Sequence, residues 1–136
     1  EASRQLRALH PEIVARVIDQ LREQGSSVEQ DSQTGLLLVN GEITVSVVVS
    51  RCTHTQAGSL RWCLRLEHGL RPDITIAVRM DETNEAPSDY YLLPAMDMTF
   101  GRLRMAEFNG VYLDAYRFED LDAFFELTER VHVEAV

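Results

Sequence analysis

Lysine is missing from this chain: all thirteen basic residues among its 136 are arginine. That absence excludes Schiff-base chemistry, a phosphate-loop lysine and any general base or electrostatic clamp built on an amine. Cysteine is nearly missing as well. Cys52 and Cys63 are the whole supply, and they read as buried or half-buried thiols of a reducing compartment. No apolar run approaches the roughly 20 residues that span a bilayer. No charged-then-apolar leader opens the chain, so the cytoplasm is the expected location. Internal repeats, low-complexity tracts and linkers are lacking too, and one domain over residues 1–136 is expected. Because it begins with Glu1 rather than Met, the chain reads as a piece of a longer protein.

Charge is present but unevenly spread. Residues 1–40 carry −2, residues 41–80 carry +2, and residues 81–136 carry −9, which together give the net −9. Such an excess of acid repels phosphate backbones at long range, so only a local nucleic-acid site on the middle block fits.

The apolar pattern places the elements. Pro11 and the stripe Ile13, Val14, Val17, Ile18 and Leu21 predict a helix from Pro11, stopped at Gly25, with Leu6 and Leu9 on a preceding turn. Val28 anchors a short edge strand. Leu36 to Val39, then Asn40-Gly41, then Ile43 to Ser50 predicts a hairpin, because both turn residues tolerate positive φ. Trp62, Leu64 and Leu66 alternate with Arg61, Cys63 and Arg65; Ile74, Ile76, Val78 and Met80 alternate with Asp73, Thr75, Ala77 and Arg79. Tyr90 to Leu93 forms another strand. Residues 98–117 read as short irregular pieces around Asn109-Gly110. Phe118 to Val131 reads as a final helix with an inward aromatic stripe. The expected class is α+β: an N-terminal helix, a central, mostly antiparallel sheet of about five or six strands, and a C-terminal helix packed on it. The three alternations predict one antiparallel sheet, its dry face apolar and its wet face holding Thr44, Ser46, Arg61, Arg65, Thr75 and Arg79.

That wet face is the candidate binding site. Arg61, Arg65 and Arg79 suit bidentate contact with phosphate or carboxylate, beside the hydroxyls of Thr44 and Ser46. The competing use of these arginines is pairing with the acidic final third of the same chain. Cys52, His54, Cys63 and His68 are the sole soft-ligand group, but their spacing lacks the close pairs of structural zinc sites. No orienting third group stands ready for a Cys–His nucleophile. Asp81, Glu82, Glu85 and Asp89 crowd one loop without the ligand rhythm of an EF-hand, which favours a solvated turn. His10 and His132 read as surface residues. No metal or cofactor is expected.

The hairpin x-LLV-NG-x-x-V-x-V after a helix, the amphipathic strand with Trp62, D-I-x-I-A-V and YYLLP together resemble the PD-(D/E)XK (restriction-endonuclease-like) superfamily, nearest its small homing-type members. The resemblance spans about residues 11–94. It implies a nuclease-like fold in which an Asp opens the first hairpin strand and E-x-K closes the second, jointly holding magnesium. Here the Asp position falls on Gly35 or Leu36, and E-x-K falls on Ser46 and Val48. None of these side chains can hold the ion or polarise water. The whole also resembles accessory domains of bacterial recombinase or partition proteins of mobile elements. A non-catalytic binding or assembly module in a larger DNA-handling bacterial protein is therefore expected, its partner a protein or DNA. The rivals are a metal-dependent nuclease with relocated acids (Asp31, Glu42 or Asp73) and a homodimerisation domain.

Overall fold

A computed structural model of the chain describes residues 2–65, 72–94, 102–105, 116–121 and 124. Helix α1 runs Ala2–Glu23 with Pro11 inside it, not from Pro11 onward as the proline predicts. Ile13, Val14, Val17 and Leu21 are buried as one stripe, with Ile18 packed against them. The helix stops in a Schellman arrangement. The Ser26 N–H donates to the Leu21 carbonyl at 3.0 Å and the Gly25 N–H to that of Arg22 at 2.9 Å. These bonds need a left-handed residue at the turn, and Gly25 supplies it at φ +97°. An added Cβ there would meet no atom within 4 Å, so Gly25→Ala is expected to cost about 1–2 kcal/mol from backbone strain alone. Gly25→Asn should cost less, because asparagine visits this region; chemical denaturation of both variants reads the difference.

Six strands form the main sheet in the order β1-β2-β3-β6-β7-β9. They are β1 (Val28–Gln30), β2 (Leu37–Val39), β3 (Ile43–Ser50), β6 (Ile74–Met80), β7 (Pro87–Pro94) and β9 (Arg117–Phe118). The β2–β3 hairpin turns through Asn40 and Gly41, both at positive φ, as the dipeptide predicts. The edge strand anchored by Val28 is present as well.

The prediction of one antiparallel sheet fails at β3. That strand pairs with β6 in parallel, Ser46 opposite Thr75 and Val48 opposite Ala77. Parallel neighbours need a crossover of a dozen residues or more, and here a hairpin fills part of it. Strands β4 (Cys52–His54) and β5 (Leu60–Arg65) leave the main sheet and join β8 (Arg102–Met105) in a second sheet, order β4-β5-β8. The Trp62 strand thus belongs to a different layer from its sequence neighbours, and residues 102–105, read as irregular, form a strand.

Two apolar clusters flank the main sheet. One joins α1 to Val45, Val47, Ile74, Ile76, Val78 and Leu92, with Leu121 and Phe124. The other, on the opposite face, holds Cys52, Trp62, Ala77, Tyr91 and Leu93, with Val48, Leu60 and Tyr116 against it. Strand β6 is therefore covered on both sides, as strands flanked by layers are. Its expected wet face is dry: Thr75 and Ala77 are buried, and only Arg79 is half-buried.

Phe118 lies in β9 opposite Tyr90, so it does not open a helix. Within the expected C-terminal helix, Leu121 and Phe124 are buried; most of that segment lies outside the described residues. No helix among the described residues is long and apolar enough to cross a membrane.

Candidate functional site

The hairpin positions to which the resemblance assigns ion-holding groups come first. Gly35 sits in an exposed turn at φ +77°, donating its N–H to the Asp31 carbonyl at 2.8 Å. Leu36 is half-buried beside it. Ser46 stands opposite Thr75 on the parallel neighbour, and Val48 packs against the second apolar cluster. An aliphatic and hydroxyl surface results.

The three acids that could substitute are engaged or distant. Asp31 accepts the Gln33 N–H at 3.0 Å and the Thr34 hydroxyl at 2.8 Å. The Gln33 N–H, then that hydroxyl, hold its carboxyl below the ordinary value. Glu42 is exposed at the hairpin tip. Asp73 ties the start of β6 to β3: its Oδ2 accepts the Thr44 N–H at 2.9 Å and the Thr44 hydroxyl at 3.0 Å. In return the Asp73 N–H donates to the Thr44 carbonyl at 2.9 Å. Asp73 thus extends the parallel ladder by one rung, a structural use of the carboxylate. Among the described residues no three His, Cys, Asp or Glu side chains converge on one point.

The acidic loop after β6 is organised from within. Asp81 Oδ1 accepts the N–H groups of Glu85 at 3.0 Å and Thr83 at 3.2 Å, and the Thr83 hydroxyl at 2.9 Å. The Glu85 N–H is the chief cause of its lowered carboxyl pKa. Asn84 completes the loop by gripping the Cys52 backbone in both directions, at 2.7 Å and 3.1 Å.

The expected wet-face residues are divided between two sheets. Thr44, Ser46, Thr75 and Arg79 alternate onto the main-sheet face that bears Val48 and Ala77. Arg61 and Arg65 belong to β5 of the second sheet. Between the layers stands Arg79, ion-paired with Asp89, its cross-strand partner on β7. Its guanidinium carbon lies 4.8 Å from the centroid of the Trp62 ring, and the Trp62 indole N–H donates to the Met80 carbonyl at 2.8 Å. Pairing with the acidic final third, the competing use weighed for all three arginines, is what Arg79 does.

The soft-ligand group is also divided. Cys52 stands opposite Trp62 and is buried, whereas Cys63, one residue on from Trp62, is exposed. The two thiols therefore occupy opposite faces of the second sheet. His54 is exposed, and His68 lies outside the described residues.

The β5–β8 register adds two residues the sequence did not single out. Arg104 stands opposite Cys63 and Arg102 opposite Arg65. The alternation R-L-R-M was the available signal, but four residues beside an irregular stretch are short for a strand assignment.

No family model matches the chain, and no curated protein does. Among solved structures, the bacterial homing endonuclease I-Ssp6803I matches over 88% of this chain and 88% of its own, with a TM-score of 0.54 and 16% identity. The likeness shows a nuclease-like fold, in line with the resemblance read from the hairpin and the strands after it.

Proposed function

We propose that the chain is a non-catalytic binding module on a nuclease-like fold, working within a larger DNA-handling bacterial protein. One feature supports the reading: in the β2–β3 hairpin, the positions that the resemblance assigns to the ion-holding groups are Gly35 or Leu36, Ser46 and Val48. A hairpin kept without its carboxylates and lysine has lost the means to activate water but not a rigid framework for presenting side chains. Arg61 and Arg65 are its contact residues, Thr44 and Ser46 line the polar end of the main sheet, and Arg79 holds the two sheets together behind them.

Incubation of the purified chain with single- and double-stranded DNA, with magnesium or manganese, tests the reading. Intact DNA is the expected result in both metals. Cleavage by the purified chain would overturn the reading, and its loss in Asp73→Asn with the fold intact by circular dichroism would support the nuclease alternative.

A further inference from the structure

We infer that the loop between β6 and β7 is a clasp on the second sheet. Asn84 closes it on the edge strand β4, and Asp81 holds the loop in its closing shape. Strand β4 opens by release of this clasp while the main sheet stays folded. This opening does not depend on what the module binds.

Strand β4 is three residues at one end of the order β4-β5-β8, and only Cys52 of the three is buried. Short edge strands with exposed side chains belong to the low-stability end of a fold. The chain arrives from β3 through exposed Arg51. Just before it Ser50 is anchored: its hydroxyl donates to the Cys63 carbonyl of β5 at 2.8 Å. Motion of β4 is therefore hinged at Arg51. Cys52 stands opposite Trp62 in the ladder, and its N–H and carbonyl both bond to Asn84. The Asn84 Oδ1 accepts the N–H at 2.7 Å, and Nδ2 donates to the carbonyl at 3.1 Å. One side-chain amide thus supplies the acceptor and the donor that a further strand would supply.

Asn84 sits at φ +59°, a left-handed conformation that asparagine tolerates better than most residues. Asp81 fixes it there. The Asp81 Oδ1 takes the Thr83 N–H, the Thr83 hydroxyl and the Glu85 N–H, from both sides of Asn84. The Asn84 N–H donates to the Asp81 carbonyl at 3.1 Å, and the Asp81 N–H to that of Ala86 at 2.9 Å, which closes the base of the loop. A preformed turn therefore presents the amide that grips β4. Release bares the Cys52 side of the cluster that holds Trp62, Ala77, Tyr91 and Leu93.

The test is alkylation of Cys52 by iodoacetamide in the 136-residue chain carrying Cys63→Ser, which removes the exposed thiol. The rate is followed against urea and compared with unfolding read by the circular dichroism of α1. In this chain its urea slope should be less than about half that of unfolding, because local opening exposes little surface. Asn84→Gly accepts the positive φ without strain and removes both side-chain bonds. Alkylation should then rise about 10- to 30-fold, the effect of two lost hydrogen bonds. Asn84→Asp keeps an acceptor for the Cys52 N–H but sets a carboxylate oxygen against the Cys52 carbonyl, and should open β4 as far. Asp81→Ala should speed the reaction while Asn84 is present and add nothing on top of Asn84→Gly, because Asp81 acts through Asn84.

A Cys52 rate that follows urea with the full unfolding slope, or an unchanged rate in Asn84→Gly, overturns the inference. Additive effects of Asp81→Ala and Asn84→Gly overturn the positioning role of Asp81. DNA cleavage by the chain would strike the module reading and leave the clasp standing.

Discussion

Asp89→Ala should destabilise the fold by about 2–4 kcal/mol, read as a lowered urea midpoint with an unchanged slope. Asp89 and Arg79 are cross-strand partners on β7 and β6, ion-paired with side chains only 15% and 14% exposed. Removing the carboxylate leaves a guanidinium in a place from which water is largely excluded. Breaking a buried pair costs about 3–5 kcal/mol, and the residual exposure here lowers that figure. The Arg79 Nε is buried with no hydrogen-bond partner among the described residues, so the guanidinium has little else to fall back on. The Trp62 ring offsets part of the loss, about 0.5–2 kcal/mol for such a stack. A double replacement, Arg79→Met with Asp89→Leu, should lie nearer the wild type than Asp89→Ala does. Apolar residues of similar volume fill a buried ion-pair site at little cost. If the double variant is instead as unstable as the two single changes summed, the pair is not coupled and the argument fails.

The same pair shows why half of the architecture could be read from the chain and half could not. Local chemistry was legible wherever a neighbour in sequence decided it. The stripe of α1, the stop at Gly25 and the turn at Asn40-Gly41 each depend on residues within a few positions. The parallel pairing of β3 with β6 depends on residues about 29 apart, such as Val45 and Ile74, and period-two alternation is the same in either pairing sense. Thr75, Ala77 and Arg79 look like a wet row because their polarity and size say nothing about what lies above them. The second sheet lies above them. Its presence converts Arg79 from a candidate ligand contact into a bridge between layers. The hairpin that carries Gly35, Leu36, Ser46 and Val48 was legible because it depends only on where the chain turns. The strand Arg102–Met105 was not, because it is defined by its pairing with residues about 40 positions earlier across a ladder.

Trp62→Ala is expected to cost about 3–5 kcal/mol, the largest effect of any single change proposed for this chain. Trp62 is the only tryptophan and is 5% exposed, in a cluster with Cys52, Ala77, Tyr91 and Leu93. Three losses coincide in the variant. The ring volume is emptied, the Met80 carbonyl loses its 2.8 Å donor, and Arg79 loses the surface it lies on. Trp62→Phe keeps most of the ring and should cost about 1–3 kcal/mol for the vacated carbonyl and the smaller volume. Trp62 is a principal anchor of the second sheet, so the damage should begin there. Cys52, buried on the inner face, should become open to alkylation in Trp62→Ala while the helical circular dichroism of α1 persists. That order of events separates a docked layer from a uniformly loosened core. A variant that keeps Cys52 protected would show that the second sheet holds its place without Trp62.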